Sequence, residues 1–143
     1  MPHEPAIVWR ALTESALIAE WLMPNDFEAV VGLEFRLQAE PSPHWDGRVD
    51  GRVLQVDPAR RLAYTWLAQG GLDTVVNWTL EAEGDGTRVQ VEQAGFGPDQ
   101  ARSLQGARYG WEQFLGGLER VVANVPAAMS QSVIPQGQGE NER

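Results

Sequence analysis

Cysteine and lysine are both missing from this chain of 143 residues. Without cysteine there is no disulfide framework, no thiolate nucleophile and no cysteine-ligated metal, a composition that fits a reducing cytosol. Without lysine, all eleven basic residues are arginine, and Schiff-base chemistry is excluded. Histidine is scarce, with only His3 and His44. A zinc site draws three or four ligands at recognisable spacings, and two scattered histidines offer none. No Gly-Xaa-Ser-Xaa-Gly nucleophile elbow occurs. Gly84-Asp85-Gly86 joins two strands instead of opening a helix, so no phosphate-binding loop is read there. These absences predict no cofactor, no metal and no assigned catalytic residue. No apolar run approaches the ~20 residues of a membrane span, and the first residues lack the basic and apolar regions of a signal peptide. A cytoplasmic location is the resulting expectation.

Acid is what the chain has in excess. Its formal charge of −9 works against nucleic acid or an anionic membrane as partner, since both call for a basic patch. The length suits one domain with one sizeable core.

Two short helices open the chain. Pro5 suits a first helical position, and Ile7, Val8, Ala11 and Leu12 make one apolar stripe. Ser15 is read as the N-cap of the second helix, whose buried face is Leu17, Ile18, Trp21 and Leu22. The period then changes to alternation. Residues 26–31 and 34–40 read as a hairpin around Gly32, with Phe35, Leu37 and Ala39 on one face. Strands follow at 47–57, 61–68, 73–83 and 87–93, separated by Asp57-Pro58, Gly70-Gly71 and Gly84-Asp85-Gly86. No helical crossover lies between them, so the sheet is an antiparallel meander. Asp99 is read as the cap of a long last helix, whose stripe includes Leu104, Ala107, Trp111, Leu115 and Leu118. Gly106, Gly110, Gly116 and Gly117 interrupt it at roughly 1 kcal/mol each. Either close contact with the sheet or room for a ligand would compensate. Residues 126–143 are polar and read as a tail beside a domain spanning 1–125.

Certain residues together carry a resemblance. They are Pro5, Val8-Trp9-Arg10-Ala11-Leu12, Trp21-Leu22, Gly32 before Phe35, Gly51 ahead of Val56-Asp57-Pro58, and Arg61-Leu62-Ala63-Tyr64-Thr65-Trp66. With them go Thr74-Val75-Val76-Asn77-Trp78-Thr79-Leu80, Gly86-Thr87-Arg88, and Gly110-Trp111 leading to Leu115 and Leu118. In this order and spacing the chain, from about Pro5 to Val122, resembles bacterial relatives of the C-terminal domain of the activator of the ninety-kilodalton heat-shock chaperone's ATPase. That family belongs to the START-like (SRPBCC) superfamily with the birch-pollen-allergen helix-grip fold. The resemblance implies an α+β architecture, a curved antiparallel sheet wrapped on a long C-terminal helix, with an apolar cavity between them. Members of the wider group bind lipids, hormones and plant phenolics, and a few are cyclases or dehydratases. No shared catalytic signature comes with the bacterial branch. The family has a full strand before the first helix, whereas only residues 1–4 precede Pro5 here. An upstream start is the first explanation, a strand supplied by Ser132-Val133-Ile134 the second, and a partner chain the third.

The candidate chemistry lies inside the fold. His44 sits in a proline-rich loop and reads as solvated, and Glu81 and Glu83 fall on the wet face of their strand. Tyr64, Arg108 and Gln93 are the polar groups worth seeking in the interior. If Arg108 points inward it needs a counter-charge, a ligand anion or water. The predicted ligand-binding lining is Phe35, Leu37, Leu54, Tyr64, Trp66, Trp78, Ala107, Arg108 and Trp111. Such aromatics either fill a core or wall a site for a ring-bearing ligand. The expected function is binding of a hydrophobic or aromatic small molecule, without catalysis. A cyclase or dehydratase using Tyr64 or Arg108 to polarise a carbonyl is the alternative, and a chaperone-contacting interaction protein, or a homodimer, the further one.

Overall fold

The computed structural model describes residues 1–43 and 45–125. Helix α1 (Pro5–Thr13) starts on its proline, where a missing amide hydrogen costs nothing, and buries Ile7, Val8, Ala11 and Leu12. Helix α2 (Ser15–Trp21) buries Ile18 and Trp21 and leaves Leu17 and Leu22 half-buried. Ser15 does not cap it. Glu14 holds the N-cap position, while the Ser15 hydroxyl donates to the Asn25 carbonyl at 2.9 Å. The Asn25 amide donates back to the Ser15 carbonyl at 3.1 Å, so the expected cap serves as a clasp on the segment after α2.

Five strands follow: β1 (Glu34–Gln38), β2 (Arg48–Asp57), β3 (Arg61–Ala68), β4 (Leu72–Glu83) and β5 (Gly86–Ala94). They pair antiparallel in sequence order, as the meander reading expects. No strand forms at residues 26–31. Asp26 N–H reaches the Arg36 carbonyl at 3.3 Å, but Phe27 N–H goes to the Asn25 side chain at 3.0 Å. Contact with the sheet resumes only at Gly32, whose N–H donates to Val53 at 2.8 Å. Between these points Phe27 turns into the core, a packing gain that alternation along the sequence does not register.

Two irregularities shape β2. Gly51 lies where a Cβ would collide with the Thr65 carbonyl and the Phe35 ring, so the glycine lets Phe35 cross the backbone. The Arg52 N–H bonds to the Thr65 hydroxyl at 2.8 Å in place of a ladder carbonyl. Further on, the register against β3 shifts between Val53 and Gln55. This bulge reverses the phase of the strand beyond Val53.

Helix α3 (Ala101–Ala123) packs Trp111, Leu118, Val121 and Val122 into the core. Asp99 does not cap it. Gln100 occupies that position, and its side chain accepts from Gly97 N–H at 2.6 Å. The helix glycines compensate differently from the expectation too. Only Gly117 marks a close approach, a Cβ there lying 3.5 Å from Trp21, and its neighbour is α2 rather than the sheet. A Cβ at Gly106 would meet nothing within 4 Å. At the start of the chain, Met1 and Thr87 exchange hydrogen bonds at 2.9 and 2.8 Å, making one rung beside β5. The sheet, two short helices and long last helix form the α+β helix-grip arrangement. His44 and the suggested strand at Ser132-Val133-Ile134 lie outside the described residues.

Candidate functional site in the gripped interior

Period-two alternation turns Phe35 and Leu37 of β1, Tyr64 and Trp66 of β3, and Trp78 of β4 toward the helices, and all five are buried. Trp111 meets them from α3, and Ala107 packs half-buried one turn before it. Seven of the nine predicted lining residues thus share the interior. Leu54 does not: it sits at the β2 bulge and is 44% exposed. Arg108 is exposed as well, because one step of about 100° from Ala107 carries it off the apolar stripe. Its charge therefore needs no buried partner.

The aromatic rings fill most of the grip. Trp66 and Trp111 have ring centroids 5.5 Å apart, Trp78 and Trp111 5.6 Å, and Trp21 and Trp78 5.7 Å. A second group meets edge to face, with Phe27–Phe35 at 4.9 Å, Phe35–Tyr64 at 5.4 Å and Phe27–Tyr64 at 5.8 Å. Each such pair contributes about 0.5–1.5 kcal/mol beyond area burial. Between the second group and the short helices remains a void of about 10 Å³, bounded by Leu12, Ile18, Trp21, Leu22 and Leu37 besides those three rings. That is roughly the space of one water. The expected cavity is closed in this conformation.

Two polar chains cross this interior. Trp111 Nε1 donates to Gln93 Oε1 at 2.9 Å, Gln93 Nε2 to Thr74 Oγ1 at 2.8 Å, and Thr74 Oγ1 to the Trp66 carbonyl at 2.9 Å. Elsewhere Trp78 Nε1 donates to the Tyr64 hydroxyl at 2.9 Å. Among the described residues that hydroxyl has no acceptor for its own proton. Burial pushes its pKa well above the ordinary tyrosine value, more than the Trp78 hydrogen bond lowers it, so Tyr64 stays a neutral donor. Gln93 was foreseen as an interior polar group. Phe27, Trp21 and the α1–α2 side of the lining were not, although a lone aromatic among polar neighbours at position 27 is a visible signal.

A larger concavity lies outside, an open groove of about 660 Å³ on the other face of β1–β3. Its arginines are paired with acids: Arg36 and Arg48 both donate through Nε to Asp50, at 3.0 and 2.9 Å, and Arg52 pairs with Glu34 at 2.6 Å. Desolvation raises the Asp50 pKa, but the two arginine hydrogen bonds outweigh it and hold the carboxyl below its usual range. This is a solvated face of ion pairs, two of them across β1 and β2 and one along β2. Among the described residues no group of three His, Asp, Glu or Cys is placed to hold a metal, and no helix is long and apolar enough to cross a membrane.

The family model described as Activator of Hsp90 ATPase homolog 1-like protein matches residues 2–123. The chain belongs to that family. Among solved structures, protein MLL2253 from Mesorhizobium loti is 41% identical with a TM-score of 0.82, covering 88% of this chain and 93% of its own. CalU16 from Micromonospora echinospora is 27% identical with a TM-score of 0.71, over 87% of this chain and 72% of that one. DynU16, a protein in the dynemicin biosynthetic locus, is 26% identical with a TM-score of 0.71, over 87% of this chain and 45% of that longer one. No curated protein matches. In this family member the helix-grip interior, rather than the outer groove, concentrates the aromatic surface and holds the unspent Tyr64 hydroxyl proton.

Proposed function

We propose that this family member is a cytoplasmic binding protein that takes a small apolar or aromatic molecule into its interior beside Tyr64. One observation carries the reading: the void behind α1 and α2 is walled by apolar side chains and rings, with Tyr64 as the polar residue among them. Such walls supply area for a ring-bearing ligand and one oriented contact. No carboxylate, histidine or arginine bounds the void, so the lining favours holding a ligand over transforming it. The void admits a ligand only after a side chain moves, a requirement that binding can meet from buried apolar area.

A cyclase or dehydratase reading draws on DynU16, a structural neighbour in a biosynthetic locus. Tyr64 would then polarise a substrate carbonyl. A chaperone contact has less to draw on, since the exposed large apolar residues Val30, Val31, Leu54, Leu67 and Tyr109 are dispersed over a loop, two strands and α3.

The test is a titration of tryptophan emission against flavonoids, fatty acids and cyclic ketones. Saturable one-to-one change with one class is expected, and turnover of that class would move the assignment to an enzyme. Silence across all three would overturn the binding reading and redirect the search to protein partners.

A further inference from the structure

Tyr64 and Phe27 together restrict what could occupy the interior. A phenol offers one proton and its oxygen lone pairs. In Tyr64 the oxygen already accepts from Trp78 Nε1, and the proton has no acceptor among the described residues. A buried donor left unpaired is costly, and a ligand atom that accepts its proton recovers that cost. Phe27 supplies the room. Its ring is buried, 5.8 Å from that of Tyr64, yet it belongs to neither helix nor strand. From Phe27 to Val31 no backbone group bonds to the sheet; the segment is held by Asn25 at one end and by Gly32 on Val53 at the other. Val30 and Val31 on the same segment are 54% and 62% exposed, so its outer side is unencumbered. Phe27 is therefore the ring in the cluster that can withdraw without breaking a strand ladder.

We infer that the interior site takes a neutral, ring-bearing molecule with a hydrogen-bond acceptor such as a ketone, its ring replacing that of Phe27 and its oxygen accepting from Tyr64. This rests on the binding function proposed above and adds the ligand class and the gate. A carboxylate is disfavoured, because no cation bounds the void and burial of an unpaired charge is costly. A plain hydrocarbon fits the walls and leaves the Tyr64 proton unpaired.

The experiment uses acetophenone and α-methylstyrene, two molecules of one shape in which a carbonyl oxygen is exchanged for a methylene. Affinities are measured by calorimetry for the wild-type protein, for Phe27→Ala, and for Phe27→Ala combined with Tyr64→Phe; Phe27→Leu replaces Phe27→Ala if the latter does not fold. In Phe27→Ala, acetophenone should bind roughly three- to tenfold tighter than α-methylstyrene, the equivalent of one net hydrogen bond. The preference should vanish when Tyr64 is also changed. The wild-type protein should show the same ranking with lower affinity. Equal affinities for the two molecules would overturn the ligand class while leaving the binding function standing. Binding to Phe27→Ala alone would overturn the gate, and binding to none of the proteins would overturn the binding function itself.

Discussion

Two polar chains lie within one core and end differently. One runs from Trp111 through Gln93 and Thr74 and stops on the Trp66 carbonyl, a group that only accepts. The other runs from Trp78 to Tyr64 and stops on a hydroxyl that still holds a proton. The first ties α3 to β3, β4 and β5 and is complete without a guest. The second has an unfilled place. Burial alone does not distinguish a complete polar chain from an open one, but the chemistry of the last atom in the chain does.

The comparison is broken most severely at the closed chain. Gln93→Leu leaves the Trp111 indole N–H without its acceptor, and should cost about 2 kcal/mol of stability by urea unfolding. A loss under ~0.5 kcal/mol, the scatter of ordinary surface changes, would mean that water replaces the amide freely. The open chain should respond less. Tyr64→Phe strands the Trp78 N–H but removes an unpaired hydroxyl, so the net change should stay within about 1 kcal/mol. The same variant sharpens the contrast in alkali. Burial raises the folded-state pKa of Tyr64 above its ordinary value of 10.0, so the native protein keeps a proton that the unfolded chain releases. Stability from this group is complete below that value and declines above it, by up to about 1.4 kcal/mol per pH unit. The decline should be absent in Tyr64→Phe; an unchanged slope would place its origin elsewhere. The smallest effect is expected at Arg108, which touches neither chain. Arg108→Leu should alter stability by no more than ~0.5 kcal/mol, whereas a substantial gain would be the signature of a buried unpaired charge.

Most of the architecture was legible because each element obeys its own period. Strand β3 falls on the expected residues, and Leu62, Tyr64, Trp66, Val76, Trp78 and Leu80 all face the core as alternation requires. What escaped depends on contacts distant in sequence. Leu54 is an exception: it follows the buried Val49, Gly51 and Val53 on the opposite face of β2, so alternation itself exposes it, and what lay beyond local reading is the bulge that reverses the phase after it. Residues 26–31 alternate well enough for a strand, yet the pull of Phe35 and Tyr64 on Phe27 takes the segment out of the sheet. Ser15 and Asp99 have the chemistry of caps, but Asn25 claims the first and Gln100 stands in the place of the second. The site was half legible for a related reason. Sheet and α3 residues were found from periodicity, whereas the α1–α2 wall of Leu12, Ile18 and Trp21 looked like ordinary core until the fold placed it against Tyr64.

The four indoles have a consequence for anyone who looks at this protein with light. Trp66, Trp111, Trp78 and Trp21 form an unbroken series with neighbouring centroids 5.5 to 5.7 Å apart. At that spacing their transition dipoles couple, and excitation absorbed by one ring is shared with the rest. The ultraviolet dichroism should therefore carry an exciton contribution, and removing Trp111 or Trp78 should weaken it to that of the one pair left, Trp21–Trp78 or Trp66–Trp111. A perturbation at Tyr64 enters the series through Trp78. The series spans α2, β3, β4 and α3, so its spectrum should report on the grip as a whole.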